Sequence, residues 1–199
     1  METASNGNSA QYLGGKLLVA MPNLREGCFA QSVVLICSHD NTHAMGVILN
    51  KEIVDVSFGE LLLQLEIKPR MEASGRRVYL GGPVDTKRGL VLHTPEYRTP
   101  DTVEICTGVC LTATKRVLED LNGGPAGDDG EKPVPPEKAL LCMGHAGWAP
   151  GQLESELTQN AWLHMPADPE LIFASDTSDA WERALASLER GRVTEVESP

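Results

Sequence analysis

Between Met143 and Leu163 the chain reads MGHAGWAPGQLESELTQNAWL, and no other stretch gathers so many residue types able to do chemistry. Pro150 suits the first turn of a helix, because the N–H it lacks would be unpaired there anyway. A helix wound from that point sets Leu153, Leu157 and Ala161 on one stripe and Gln152, Glu156 and Asn160 on the next, at spacing i, i+4, i+8. Glu154 falls on the other flank. The turn Gly144-His145-Ala146-Gly147-Trp148 brings an imidazole and an indole to the start of that helix.

Two readings compete for these residues. In the functional one, the helix start receives an anion, Trp148 forms a wall, and His145 or His93 with Glu156 carries protons. In the structural one, Trp148 and Trp162 pack, the glycines make turns and the polar stripe is solvated. Without a third group to orient the base, packing outweighs catalysis, and a noncatalytic cleft lies between the two. The candidate cleft comprises Trp148, Gln152, Glu154, Glu156, Asn160 and His93, with no catalytic residue assigned.

Other constellations carry less. His39 and His43 flank Asp40 in SHDNTH, but zinc sites of real specificity show paired Cys/His clusters, and a hairpin turn explains these residues as well. No metal and no cofactor are expected. Cys106 and Cys110 in CTGVC would stand about 13 Å apart on one continuous strand, beyond disulfide reach; only a bend at Gly108 would bring them together. Five cysteines without a CxxC pair, in a chain of 199 residues, point to reduced, inert thiols. LGGPVDTKRG matches neither GxxxxGK[ST] nor GxGxxG, so a structural turn is expected there. GxSxG, HExxH and kinase signatures are absent.

The elements that must position the candidates follow from patterning. Strands are expected over Lys16 to Ala20, Ser32 to Ser38, Ala44 to Asn50, Arg77 to Leu80, Gly89 to His93, Val103 to Gly108, the ALLCMG run, and Leu171 to Ala174. Ser57 and Glu60 form a capping box ahead of Leu61, Leu62 and Leu65, and LTATKRVLEDLNGG ends in the Asn-Gly stop of a second helix. Ser178 to Leu188 places Trp181, Ala184, Leu185 and Leu188 on one helical stripe. About eight strands with about four helices, not in βαβ alternation, predict an α+β domain on a mixed, strongly curved sheet. One domain over residues 12–188 is expected, with a tail at 1–11, a Gly- and Pro-rich loop at 123–137 and a polar tail at 189–199.

Composition excludes some functions. A net charge of −11 disfavours direct nucleic-acid binding, which needs Lys and Arg spread along a phosphate backbone. Arg70, Arg76, Arg77, Lys87 and Arg88 lie among turns and read as a solvated face. There is neither a signal-peptide pattern nor an apolar run approaching the roughly 18 residues of a membrane span, so a cytoplasmic protein is expected.

Taken in order, GGKLLVAMPNL, SVVLICSH, AMGVILNK, LGGPV with RGLVLH, and GHAGWAPGQLESEL with NAWL resemble the AlgH/YqgE family of small bacterial proteins from about Gly14 to Leu188. The resemblance implies a pseudo-barrel with peripheral helices and an unassigned biochemistry. Signature positions fall on Asn50, Gly81, Gly82, Pro83, His93, Gly144, Gly147 and Trp148, and on Gly151, Gln152, Leu153, Glu154, Glu156, Asn160 and Trp162. His145 stands where the family often has tyrosine, which argues against a base there. The leading expectation is a noncatalytic binding or indirect regulatory protein whose partner is a small molecule or a protein, acting as a monomer or weak oligomer. An enzyme, such as a hydrolase using the same cleft, and a DNA-binding regulator are the alternatives.

Overall fold

Apolar, β-branched runs become strands in this chain. The computed structural model describes residues 12–25, 27–70, 76–124 and 134–196. In chain order these form β1 (Lys16–Ala20), β2 (Val33–His39), β3 (Ala44–Ile48), α1 (Phe58–Gln64), β4 (Val78–Leu80) and β5 (Val84–His93). Then come β6 (Val103–Cys106), β7 (Val109–Thr112), α2 (Lys115–Leu121), β8 (Ala139–Trp148) and α3 (Gln152–Thr158). The chain closes with β9 (Trp162–Pro166), α4 (Pro169–Ile172) and α5 (Ala180–Val196). Among the described residues no helix is long and apolar enough to cross a membrane.

The strands join in the order β6-β7-β5-β8-β3-β2-β1-β9, and β4 pairs with β8 off this path. Every pairing is antiparallel except β4 with β8, so the sheet is mixed, as expected, and it curls into a half-barrel. Strand β8 is the hinge of the architecture. Its first half, at Leu141 to Met143, takes β4, and its second half, from Ala146 to Trp148, takes β3. The sheet therefore forks along a single strand.

Burial on both faces explains why the central strands read as unbroken apolar runs. Leu17 and Val19 enter the core inside the curl with Leu35, Val47, Leu90 and Leu92, closed by Leu171 and Ile172 of α4 and by Ala180 and Ala184 of α5. Leu18 and Ala20, on the opposite face of the same strand, pack with Ile36, Trp148, Leu153 and Trp162. A third cluster lays Phe58, Leu61 and Leu62 of α1 and Val117, Leu118 and Leu121 of α2 against Val91 and Leu141. Burying each such side chain contributes about 1.5–3 kcal/mol. The Ser57–Glu60 capping box forms in full and fixes where α1 begins.

Several segments depart from the patterning. Leu171 to Ala174 is not a strand: Asp168 accepts from the Glu170 N–H and Pro169 occupies the first turn, so this start signal overrides β propensity and gives α4. With α4 the α-helices among the described residues number five rather than four. GGPVDTKR is not all turn, since β5 reaches back to Val84 through an irregularity between Val84 and Gly89. CTGVC bends at Gly108 (φ 83°) into a hairpin, pairing Cys106 with Val109 and Glu104 with Cys110. Strand β9 runs along β1 from Trp162 to Pro166, where the sequence offers little alternation. Helix α5 continues through Val196, so the polar stretch from Glu189 is helical that far. The 1–11 tail and residues 125–133 of the loop lie outside the described residues.

Candidate functional site: the Trp148–Glu156 corner

The corner is built from the fork of β8. Gly144 takes a positive φ of 69°, and Gly81 and Gly82 lie directly against it. A Cβ on Gly81 would stand 2.3 Å from the Gly144 carbonyl oxygen, and one on Gly82 would stand 2.1 Å from the His145 carbonyl carbon. The Gly81 N–H donates to the Met143 carbonyl, and the Ile48 N–H donates to the Gly81 carbonyl. The Gly-Gly-Pro signature is thus a backbone-to-backbone closure that aims the second half of β8, and Trp148 with it.

Beyond Trp148 the chain turns at once into α3. Gln152 Oε1 accepts from the Ala149 N–H at 3.0 Å, while its Nε2 donates to Glu156 Oε1 at 2.8 Å. Glu156 Oε2 accepts from two indoles, Trp148 Nε1 at 2.9 Å and Trp162 Nε1 at 2.8 Å. Both tryptophans are buried, their rings meet edge-to-face at 6.2 Å, and Phe29 packs against the pair. One carboxylate therefore ties β8, α3 and β9 together. Charge-assisted bonds of this kind are about twice as strong as neutral ones.

The remaining candidates are dispersed. Glu154, on the other flank of α3, accepts from His39 Nε2 at 3.0 Å, and His39 Nδ1 in turn accepts from the Leu13 N–H at 3.0 Å. That pair of bonds selects the Nε2–H tautomer of His39 and joins α3 to the end of β2. Asn160 lies past the last turn of α3, exposed, with φ 54°. Its N–H donates to the Leu157 carbonyl and that of Ala161 to the Glu156 carbonyl, which is the Schellman stop that favours Asn or Gly. The polar stripe of Gln152, Glu156 and Asn160 is accordingly interrupted before Asn160.

His93 sits apart from this corner. It pairs with Ala139 at the far end of β8, about 30 Å of strand from Trp148. Fully buried, it donates from Nδ1 to the Thr94 carbonyl at 2.9 Å and accepts at Nε2 from the Thr112 hydroxyl at 2.8 Å, with Tyr97 edge-on at 5.2 Å. Tyr97 continues the network to Asp120 at 2.8 Å, and Arg116 reaches the same carboxylate. Burial depresses the His93 pKa, more than the nearby Thr94 carbonyl and Glu96 restore it. Below the unfolded value of about 6.5 the unfolded chain binds the proton first, so the stability due to neutral His93 falls as pH drops from about 6.5 towards the folded value. The His93 imidazole is expected to titrate below 6.5 by NMR, and His93→Gln is expected to lose less unfolding free energy than wild type between pH 7.5 and 5.5.

The histidine-rich turn and the thiols are occupied in structural ways. Asp40 Oδ1 accepts from the Thr42 hydroxyl and N–H and from the His43 N–H, and these bonds pull its carboxyl down to about 2. His43 Nε2 meets the Ser38 hydroxyl at 3.0 Å. All five cysteines are free. Burial pushes the Cys37 thiol up to about 12 and raises Cys142 as well, which keeps both protonated and unreactive.

Sequence reasoning names Trp148, Gln152 and Glu156 together but not Trp162 as the second donor, although NAWL lies within the same stretch. It also has no signal for His39 as the partner of Glu154, because 115 residues separate them.

Comparison with known proteins agrees with the fold. The AlgH-like family profile, DUF179, matches residues 17–191. The UPF0301 protein of Nitrobacter hamburgensis is 47% identical over 185 residues, covering 89% of this chain and 82% of that protein. That of Afipia carboxidovorans is 42% identical over 195 residues, covering 94% and 88%. The solution structure of the AlgH protein from Pseudomonas aeruginosa superposes with a TM-score of 0.74 at 33% identity, over 94% of this chain and 92% of that one. A Corynebacterium diphtheriae protein at 24% identity, with a TM-score of 0.64 over 86% and 85% of the two chains, shares the fold. By the family match over most of its length, the identity to these relatives and the shared fold, the chain belongs to the AlgH-like family.

Proposed function

We propose that this protein is a noncatalytic binding or indirect regulatory protein of the cytoplasm. In this reading the Trp148–Glu156 corner maintains the fold and the partner, a small molecule or a protein, is held elsewhere. The observation that carries the reading is the state of Glu156. A proton carrier must be free to turn towards substrate, whereas three of the roughly four acceptor sites of the Glu156 carboxylate are taken by Gln152 and the two indoles, which fix it in place. The net charge of −11 supports regulation through a partner rather than through direct DNA contact.

Ligand-observed NMR of a metabolite mixture, followed by product analysis, tests this. Binding without chemical conversion is expected, and Glu156→Gln should keep the binding while unfolding more readily. Any compound that wild type converts would overturn the proposal.

A further inference from the structure

Side chains of β3, β5, β6, β7 and β8 line a cavity of about 420 Å³ to which none of the corner residues contributes. Its apolar part is formed by Met45 of β3, Leu90 of β5, and Leu111 and Ala113 at the end of β7. These are side chains of, or packed against, the core inside the curl. Its polar part is formed by Arg88, Asp101, Thr114 and His145. Concave sites with an apolar lining and a few polar groups are favoured places for small ligands, and the volume falls in the usual range of roughly 300–1,000 Å³.

The polar groups of this cavity are unspent. Among the described residues only three buried side-chain polar atoms lack a hydrogen-bond partner: Thr114 Oγ1, His145 Nδ1 and Asp120 Oδ1. The last stands 3.0 Å from Arg116 Nε in an ion pair, so it has an electrostatic partner. The other two both line this one cavity. Thr114 holds the cap position of α2, where its hydroxyl would ordinarily accept from the first turn, yet it makes no such bond. Buried polar atoms left open in this way call for an explanation, and a bound molecule supplies one. On the same lining, Arg88 and Asp101 are exposed and neither forms an ion pair among the described residues, with each other or with any third group.

We propose that this cavity binds a small zwitterion with an apolar side chain, of the chemical class of the apolar α-amino acids. Arg88 takes the carboxylate and Asp101 the ammonium group. Thr114 Oγ1 and His145 Nδ1 complete the hydrogen bonds of the head, and Met45, Leu90 and Leu111 receive the side chain. A zwitterion carries no net charge, so the field of a protein at −11 does not repel it as it would a simple anion. A simple cation would leave Arg88 facing it.

The inference rests on the noncatalytic binding reading above and can fail separately from it. The test is a methyl and imidazole NMR titration of the whole protein with L-leucine, with 4-methylpentanoate and 3-methylbutylamine as analogues lacking one charge each. Saturable shifts are expected at Met45, Leu90, Leu111 and His145 with leucine, and each analogue should bind at least about tenfold more weakly. Arg88→Gln and Asp101→Asn, at exposed positions without ion-pair partners, should stay folded and each lower leucine affinity by about tenfold. No saturable shift up to roughly 20 mM, equal binding of either analogue, or unchanged affinity in both variants overturns the site; the noncatalytic reading then stands. Consumption of leucine overturns the noncatalytic reading and leaves the site in place.

Discussion

Gly82→Ala is expected to abolish the folded protein. The added Cβ would fall 2.1 Å from the carbonyl carbon of His145 and 2.3 Å from the Ala146 nitrogen, and both are backbone atoms of the strand that carries the fork. A flexible side chain could swing away from such an intrusion, but the short link between β4 and β5 cannot lift off β8 without loosening the pairing of both strands with it. The loss is placed above about 4–5 kcal/mol, the level reached only by changes with a definite structural cause. Against a total of roughly 5–15 kcal/mol for a domain, that leaves little or no folded population. Gly14→Ala is the matched control, since nothing lies within 4 Å of its Cβ position, and it should shift stability by no more than about 0.5 kcal/mol. Circular dichroism with urea unfolding of both variants checks the pair. A Gly82→Ala protein that unfolds at the wild-type midpoint would refute the closure.

The second large effect is expected at Glu156. Glu156→Ala strands the N–H groups of Trp148 and Trp162, which are only 5% and 3% exposed. Each buried donor left unpaired costs about 1–3 kcal/mol, so a loss of about 2–6 kcal/mol is expected for the two. Glu156→Gln retains one carbonyl oxygen to accept from the indoles. Its new amide group, however, meets Gln152 Nε2 donor to donor, because Gln152 Oε1 is held by the Ala149 N–H. A smaller loss of about 1–2 kcal/mol follows. Urea unfolding followed by tryptophan fluorescence gives both values, and the ranking Ala below Gln below wild type is the outcome to look for. Equal stability of all three would mean that the carboxylate ties nothing together.

Much of the frame was legible in the residues. The run KLLVA matches β1 residue for residue, and the Ser57–Glu60 pair and the Asn122-Gly123 stop mark helices that form where those signals stand. Strong local chemistry, a cap or an unbroken apolar run, is what these cases share. The misreadings arise where a short segment sends two signals. LIFA has the composition of a strand and the Asp-Pro-Glu start of a helix, and the start prevails because the cap satisfies a backbone N–H at once. CTGVC reads as one strand until Gly108 supplies the positive φ of a tight turn.

The candidate site divides in the same way. Trp148, Gln152 and Glu156 stand close in sequence, and their adjacency in space could be read from helical spacing. Whether they edge an open cleft or close on one another depends on where two indole rings point, and those rings stand on β8, packed against Gly81 and Gly82, and on β9, paired with β1. His93 shares a strand partner with this corner but sits at the other end of it, and no periodicity reveals which end. The Glu154–His39 bond lies further still from any local pattern.

The central claim, that Glu156 is a structural tie held by two indoles, is tested most directly by hydrogen exchange at the three tryptophan indole N–H groups in wild type and Glu156→Ala. Trp181 donates to the Ala20 carbonyl at 2.7 Å, independently of Glu156, and so reports that the rest of the domain is intact. The expected result is slow exchange at Trp148, Trp162 and Trp181 in wild type, with Trp148 and Trp162 exchanging fast and Trp181 still protected in the variant. Trp148 and Trp162 that stay protected without the carboxylate, or that exchange freely in wild type, would contradict it.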